Sequence, residues 1–296
     1  MAADITNPAA DRALAILRLE IDAIDNAIHD LLISRAEIVD RVAATKKGAG
    51  SRSAPLFRGG REATILRRLV ARNRAPLPVE AVIGVWREII TALTRLQGDF
   101  IIAAYAPPGV SRYAELAGGH FGSREPLHRT TTIAAALTAV SKGRVQLAVL
   151  PLPGAETKAE RGWWRRLGGA GSLTLLARLP FVGTRGSGAV IVGRQGFDPS
   201  DDDGGYILVE SKPPVSRARL RAALKTAGLP AIGFPAALEE KMARGGKLQY
   251  QLVETAHWVG PDDSRLQRLA AALGGATVRS LGGYARPLAT KRKLRR

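Results

Sequence analysis

The sequence predicts a multidomain chain in which an all-α N-terminal region of three helices, one of them long, precedes an α/β region. Three observations predict this. Apolar residues recur at three-four spacing from Leu14 through Leu17, Ile21, Ile24, Ile28 and Leu31 and resume at Ile38 and Val42, the stripe of one long helix. Glycine, serine and proline in "KKGAGSRSAP" interrupt the helix signals. These return over about residues 60–72 and again from "PLPVEAVIGVWREIITALTRLQG", where Pro78 suits a first turn and Gly98 an end. Beyond Gly98, short apolar runs ("FIIAAYAPPG", "VQLAVLPLPG", "GAVIVGRQG", "GYILVESKPP", "YQLVETAHWVG") alternate with helix candidates ("TTTIAAALTAVSKG", "VSRARLRAALKTAGL", "DSRLQRLAAALGG").

With 296 residues, the chain has room for two or three domains, each burying its own core. The absence of cysteine excludes disulfides and thiolate metal sites. His29, His120, His128 and His257 show no metal-ligand spacing, so no metal or other cofactor is expected. "MAADITNPAADR" lacks a basic start followed by an apolar core, and no apolar run approaches the roughly 20 residues that span a bilayer. A soluble cytoplasmic protein without a membrane partner is the expectation.

The formal charge of +18 raises nucleic acid as a partner class. Its distribution points away from one. Lys and Arg stand 15 against 11 Asp and Glu over residues 1–97 and 29 against 15 over the remainder, with a basic tail "KRKLRR" at Lys291 to Arg296. Aromatic residues are few and not interleaved with the cations, so no stacking platform for single strands is visible. "GTRGSG" and "RGGKLQ" lack phosphate-loop spacing and read as turns. Trp163 and Trp164 read as a loop packed on the α/β region, with an interface or ligand patch as the alternative.

Arg35 breaks the apolar stripe of the first helix. Lys46 lies 11 residues on and, at about 100° per residue, returns to nearly the same face; Arg18 lies 17 residues before Arg35 and points roughly a quarter turn away. Burying an unpaired cation costs on the order of several kcal/mol, so anionic partners must arrive. Structural carboxylates or an anionic ligand would both serve.

"LRLEIDAIDNAIHDLLISRAEIVDRVAATK", "PLFRGGREATILRRL" and "PLPVEAVIGVWREIITALTRLQ" together resemble the all-helical chorismate mutase family, in the version fused to prephenate dehydratase in bacterial phenylalanine biosynthesis. The motifs that carry the resemblance are R-x-x-I-D-x-I-D, the arginine and lysine at the spacings above, and R-E opening the second helix. The resemblance implies an intertwined homodimer with two active sites and chorismate as substrate. It implies Arg35 and Arg18 of the partner subunit on the carboxylates, and Lys46 on a carboxylate and the ether oxygen. It further implies Glu62 accepting from the ring hydroxyl, Gln97 donating to the ether oxygen, and Arg61 ordering the site. Arg58 and Leu93 fall at substrate-binding positions where some relatives carry an acid and a serine. Gly59 and Gly60 replace the Pro and Glu usual in fused relatives, which is expected to loosen the turn presenting Arg61 and Glu62 and to raise KM.

The later segments resemble the other parts of such fusions. "FIIAAYAPPGVSRYAELAGGHFG" and "GRVQLAVLPLPGAE" are similar to the start of the dehydratase domain, a periplasmic-binding-like α/β fold. Where that family reads G-T-F-S and P-x-E-N-S, this chain reads Gly109-Val110-Ser111-Arg112 and Pro151-Leu152-Pro153-Gly154-Ala155; the nearest trace of its T-R-F motif is Thr184-Arg185-Gly186. Dehydratase activity is therefore not expected. "YILVESKPPVSRARLRAALKTAGL", "YQLVETAHWVGPDDSRLQRLAAALGG" and "TVRSLGGYARPL" resemble an α+β ACT-type regulatory domain in strand, helix, strand, helix, strand order, without its phenylalanine signatures. The expected organisation is a helical mutase domain over 1–98, a degenerate dehydratase-like domain over 99–200 and an ACT-like domain over 201–296. Two other functions stay in view: a bifunctional enzyme with dehydratase activity, and a non-catalytic protein binding nucleic acid or a partner enzyme.

Overall fold

The computed structural model describes residues 8–48, 55–74, 76–122, 126–169, 172–183, 188–242 and 245–288, and for 46–48 the backbone alone. Thr184-Arg185-Gly186, most of "GTRGSG", Arg244 and the basic tail lie outside the described residues. The chain divides into two compact units, Met1–Ala54 with Leu93–Gly98 and Pro55–Ala92 with Asp99–Arg296.

The first unit is built on α1 (Pro8–Gly48), 41 residues and so about 60 Å long. No glycine or proline interrupts it between its ends. Its apolar stripe is uncovered within one chain: Leu14 is 50%, Leu31 69% and Ile38 52% exposed. A helix with an unburied stripe lacks the tertiary packing that ordinarily supplies most helical stability.

In the second unit, α2 (Gly59–Arg72) and the part of α3 (Val79–Arg95) up to Ala92 pack apolar faces together. Ala63, Leu66 and Ile83 form a small core with Phe181 and Ala285. Arg58, at the N-cap, makes no side-chain cap. Asp198 caps instead: its Oδ2 accepts from the Arg61 backbone N–H at 3.0 Å, while its Oδ1 accepts from Arg58 Nε and Nη2 at 3.0 and 2.8 Å. A carboxylate there also complements the positive helix end. Gly60 is what lets the cap close, because a Cβ on it would lie 2.2 Å from the Asp198 carbonyl oxygen. Gly60 is thus a close-approach residue beside the turn that presents Arg61 and Glu62.

Among the described residues the sheet has nine strands: β1 (Ile102–Tyr105), β2 (Leu127–Thr130), β3 (Leu147–Pro151), β4 (Thr174–Leu179), β5 (Ala189–Gly193), β6 (Asp203–Ser211), β7 (Ala231–Lys241), β8 (Lys247–Thr255) and β9 (Thr277–Ala285). Their spatial order is β2-β1-β3-β5-β4-β9-β6-β8-β7. The β2-β1-β3 portion is parallel, with α4 (Arg112–Phe121) and α5 (Ile133–Ser141) as crossovers. Here β1 and β3 are buried throughout, as strands covered on both faces should be. From β6 to β9, with α6 (Arg217–Ala227) and α7 (Ser264–Ala272), the order is strand-helix-strand-strand-helix-strand, with every pairing antiparallel. Both helices cover one face, over Ile207, Val209 and Val253. The sequence reading missed β7. Pro235, the charged run at its end and its half-buried faces are the marks of an edge strand, which alternation rules detect poorly.

β3 continues through antiparallel pairing into β5 and β4, and β4 meets β9 in a parallel contact at Leu175 and Gly282. Gly282 has φ 114°, and a Cβ on it would stand 2.1 Å from the Leu175 carbonyl oxygen, so only glycine permits the approach. Trp163 and Trp164 are buried, and Trp164 Nε1 donates to Glu156 Oε1 at 3.2 Å, which agrees with the packed-loop reading.

Candidate functional site

The residues singled out by sequence fall in both units. On α1, Arg18 is exposed and Arg35 half-buried; Lys46 lies on the same helix, its side chain outside the described residues. Because α1 is continuous, Arg18 and Arg35 are separated by roughly 25 Å along the axis, too far for one small dianion to touch both from one helix. Arg35 and Lys46 are separated by roughly 16 Å along the axis. Leu93 and Gln97 are half-buried at the end of α3, where Gln97 Nε2 donates to the Leu93 carbonyl at 3.3 Å. In the second unit, Arg58 and the Arg61 backbone are engaged with Asp198.

Glu62 has a more specific environment than sequence suggested. Glu62 is 8% exposed and its Oε2 accepts from Arg87 Nη1 at 2.5 Å, with Arg87 itself 5% exposed. His120, 7% exposed at the end of α4, sets Nε2 3.2 Å from Arg87 Nη1 and 3.7 Å from Glu62 Oε2. Arginine has no acceptor, so the short contact makes Nε2 the acceptor and the imidazole neutral. The rings of Phe57 and Phe121 close the third side, at 6.1 and 4.6 Å from the His120 ring.

Burial dominates the electrostatics. It pushes the Glu62 carboxyl up, against the lowering effect of the Arg87 charge, and holds Arg87 below its ordinary value. It also drives His120 well below the usual imidazole range, helped by the Arg87 cation. The sign follows by linkage. The unfolded chain protonates this histidine as pH falls through about 6.5, while the folded chain does not, so the unfolded state binds more protons and stability drops. Denaturant unfolding between pH 7 and 5 is expected to show a slope approaching about 1.4 kcal/mol per pH unit from this residue. In His120→Gln that component should vanish; an unchanged slope would mean that His120 titrates normally.

Arg87 and His120 were not anticipated. The signal for Arg87 was present, since it interrupts the apolar stripe Ile83, Ile90 on α3 just as Arg35 interrupts that of α1. His120 carried none, because its role depends on helices brought together from residues 62, 87 and 120. Among the described residues, no cluster of His, Cys, Asp or Glu could hold a metal ion, and no helix is long and apolar enough to cross a membrane.

Residues 17–98 match the family model described as chorismate mutase type II. The bifunctional chorismate mutase/prephenate dehydratase of Pseudomonas aeruginosa is 32% identical over 141 residues, 47% of this chain and 38% of that protein. The enzyme of the same name from Neisseria gonorrhoeae is 33% identical over 112 residues, 38% of this chain and 29% of that one. The matched stretches thus span less than half the length of these relatives. Among solved structures, one described as GqqA, a novel type of quorum quenching acylases, aligns with 64% of this chain and 96% of its own at 19% identity and a TM-score of 0.46. The prephenate dehydratase of Arthrobacter aurescens in complex with L-Phe aligns with 63% and 90% at 13% identity and a TM-score of 0.44.

Proposed function

We propose that the helical region, residues 1–98, rearranges chorismate to prephenate as a homodimer in which Arg18 is supplied in trans. The observation that carries this reading is a chorismate mutase type II match over 17–98, coinciding with one unbroken helix that bears Arg18, Arg35 and Lys46. The roughly 25 Å between Arg18 and Arg35 supports assigning them to different sites, and the uncovered stripe of α1 supports a second copy of α1 as its cover.

The reaction needs neither nucleophile nor proton transfer. It needs the compact diaxial conformer held and charge stabilised as the ether bond breaks. Arg35 and Arg18 of the partner subunit would clamp the carboxylates bidentately, a geometry suited to planar guanidinium. Lys46 would reach a carboxylate and the ether oxygen, with Gln97 donating to that oxygen from the other side. The resemblance assigns the ring hydroxyl to Glu62. Arg58, Arg61 and Leu93 would shape the wall.

A glutamate at position 97 would donate only when protonated, whereas Gln97 donates at any pH. The mutase rate is therefore expected to be nearly flat from mildly acidic to mildly basic pH, and a steep loss between about pH 6 and 8 in an intact dimer would remove Gln97 from this role.

The region 99–200 is read as a dehydratase-like fold without dehydratase chemistry, since Pro153-Gly154-Ala155 stand where polar residues would face prephenate, and 201–296 as ACT-like in assembly. Following chorismate loss and identifying the product tests both statements. Prephenate alone is the expected product, and phenylpyruvate well above the spontaneous rate would favour the bifunctional alternative.

A further inference from the structure

A cavity of about 400 Å³ opens in the second unit between α3, α4 and residues 180–182. None of the residues proposed for the mutase lines it. One wall is apolar: Ile83, Leu116, Pro180, Phe181 and Val182. Its floor is Arg87 and His120, and the floor carries no net charge, because Glu62 neutralises Arg87 and the imidazole is neutral. Among the described residues, the other titratable groups on the lining are Arg112 and Glu115, one turn apart on α4.

These two are not spent on each other: Arg112 stacks over the Tyr113 ring at 5.1 Å, while Glu115 Oε1 accepts from Ser111 Oγ at 2.5 Å. Each is thereby oriented and keeps further hydrogen-bonding capacity, a guanidinium with five donors and a carboxylate with several lone pairs. Both are exposed while Ile83, Arg87, His120 and Phe181 are buried, so the charged pair lies at the mouth and the apolar wall within. An apolar cavity in the volume range of small-molecule sites, with a few convergent polar groups, has the make-up of a binding pocket.

We propose that this cavity binds a small zwitterion with an apolar body, the chemistry of an apolar α-amino acid. Arg112 takes the carboxylate, Glu115 takes the ammonium, and the side chain lies against Leu116, Phe181 and Val182. A simple anion or cation would leave one of the two mouth charges facing a like charge or an uncharged group, and a neutral apolar molecule would leave both unused.

Gly119 supplies a test that leaves the fold intact. It lines the cavity from the last turn of α4, and a Cβ there would meet nothing within 4 Å. A larger side chain therefore enters the cavity rather than the core, and it raises helix propensity. Gly118 has the same open surroundings and does not line the cavity. Calorimetric titration of the full chain with L-leucine and L-phenylalanine is expected to show saturable binding. Isocaproate and isoamylamine, each lacking one charge of leucine, should bind about tenfold or more weakly. Arg112→Ala and Glu115→Gln should each weaken the amino acids by a similar factor, Gly119→Leu should abolish binding, and Gly118→Leu should leave it unchanged. Absence of saturable binding by both amino acids, or equal binding by Gly119→Leu, overturns the proposal. The readout is binding rather than turnover, so the result stands apart from the mutase reading.

Discussion

Arg35→Ala is expected to lower chorismate turnover by more than about a hundredfold, on the order of 3 kcal/mol in the barrier, with the helix content of the chain unchanged. The size of the loss follows from the chemistry. A pericyclic shift gives the protein only positioning and charge to work with, and a bidentate guanidinium supplies both to one carboxylate. Alanine has the highest helix propensity, so α1 should stay helical. Steady-state chorismate consumption alongside far-ultraviolet circular dichroism makes the comparison. A variant within tenfold of the parent would show that Arg35 is a structural cation.

Glu62→Ala should cost on the order of 3–5 kcal/mol of folding stability, because it strands Arg87 as a buried cation without its carboxylate. This penalty is separate from any loss of turnover. A double variant, Glu62→Ala with Arg87→Met, removes the stranded charge and should recover much of the loss, since a buried ion pair gains little over apolar groups of similar shape. Denaturant midpoints for the single and double variants make the test. An unchanged midpoint in Glu62→Ala, with activity alone falling, would restrict Glu62 to the substrate.

Much of the fold was legible where periodicity is local. The three helices of the N-terminal region start and stop within a few residues of the positions marked by their apolar spacing and by Pro78 and Gly98. Strands β1, β3, β5, β6 and β8 coincide with short apolar runs for the same reason. Strands β2, β4 and β7 were missed. The first is Leu-His-Arg-Thr, with little apolar content, and the last carries a proline and three charged residues at its end. β4 reads as mixed apolar and basic and declares itself only by pairing with β5 and β9.

For the candidate site, the placement of Arg18, Arg35 and Lys46 on one helix was readable from spacing alone. The partners of Glu62 were not, because Arg87 and His120 meet it only through tertiary packing of α2, α3 and α4. The close approach at Gly60 was hidden for a similar reason. Glycine's freedom is visible in a sequence, whereas the Asp198 carbonyl that needs the missing Cβ lies 138 positions further on.

The seam at Gly282 has a mechanical meaning. Because β9 is hydrogen-bonded to β6 on one side and meets β4 on the other, the boundary near residue 200 is not a hinge. β4, the strand that meets β9, runs on into residues 180–182 at the lip of the α3–α4 cavity, so the two ends of one sheet share an edge of that cavity's wall.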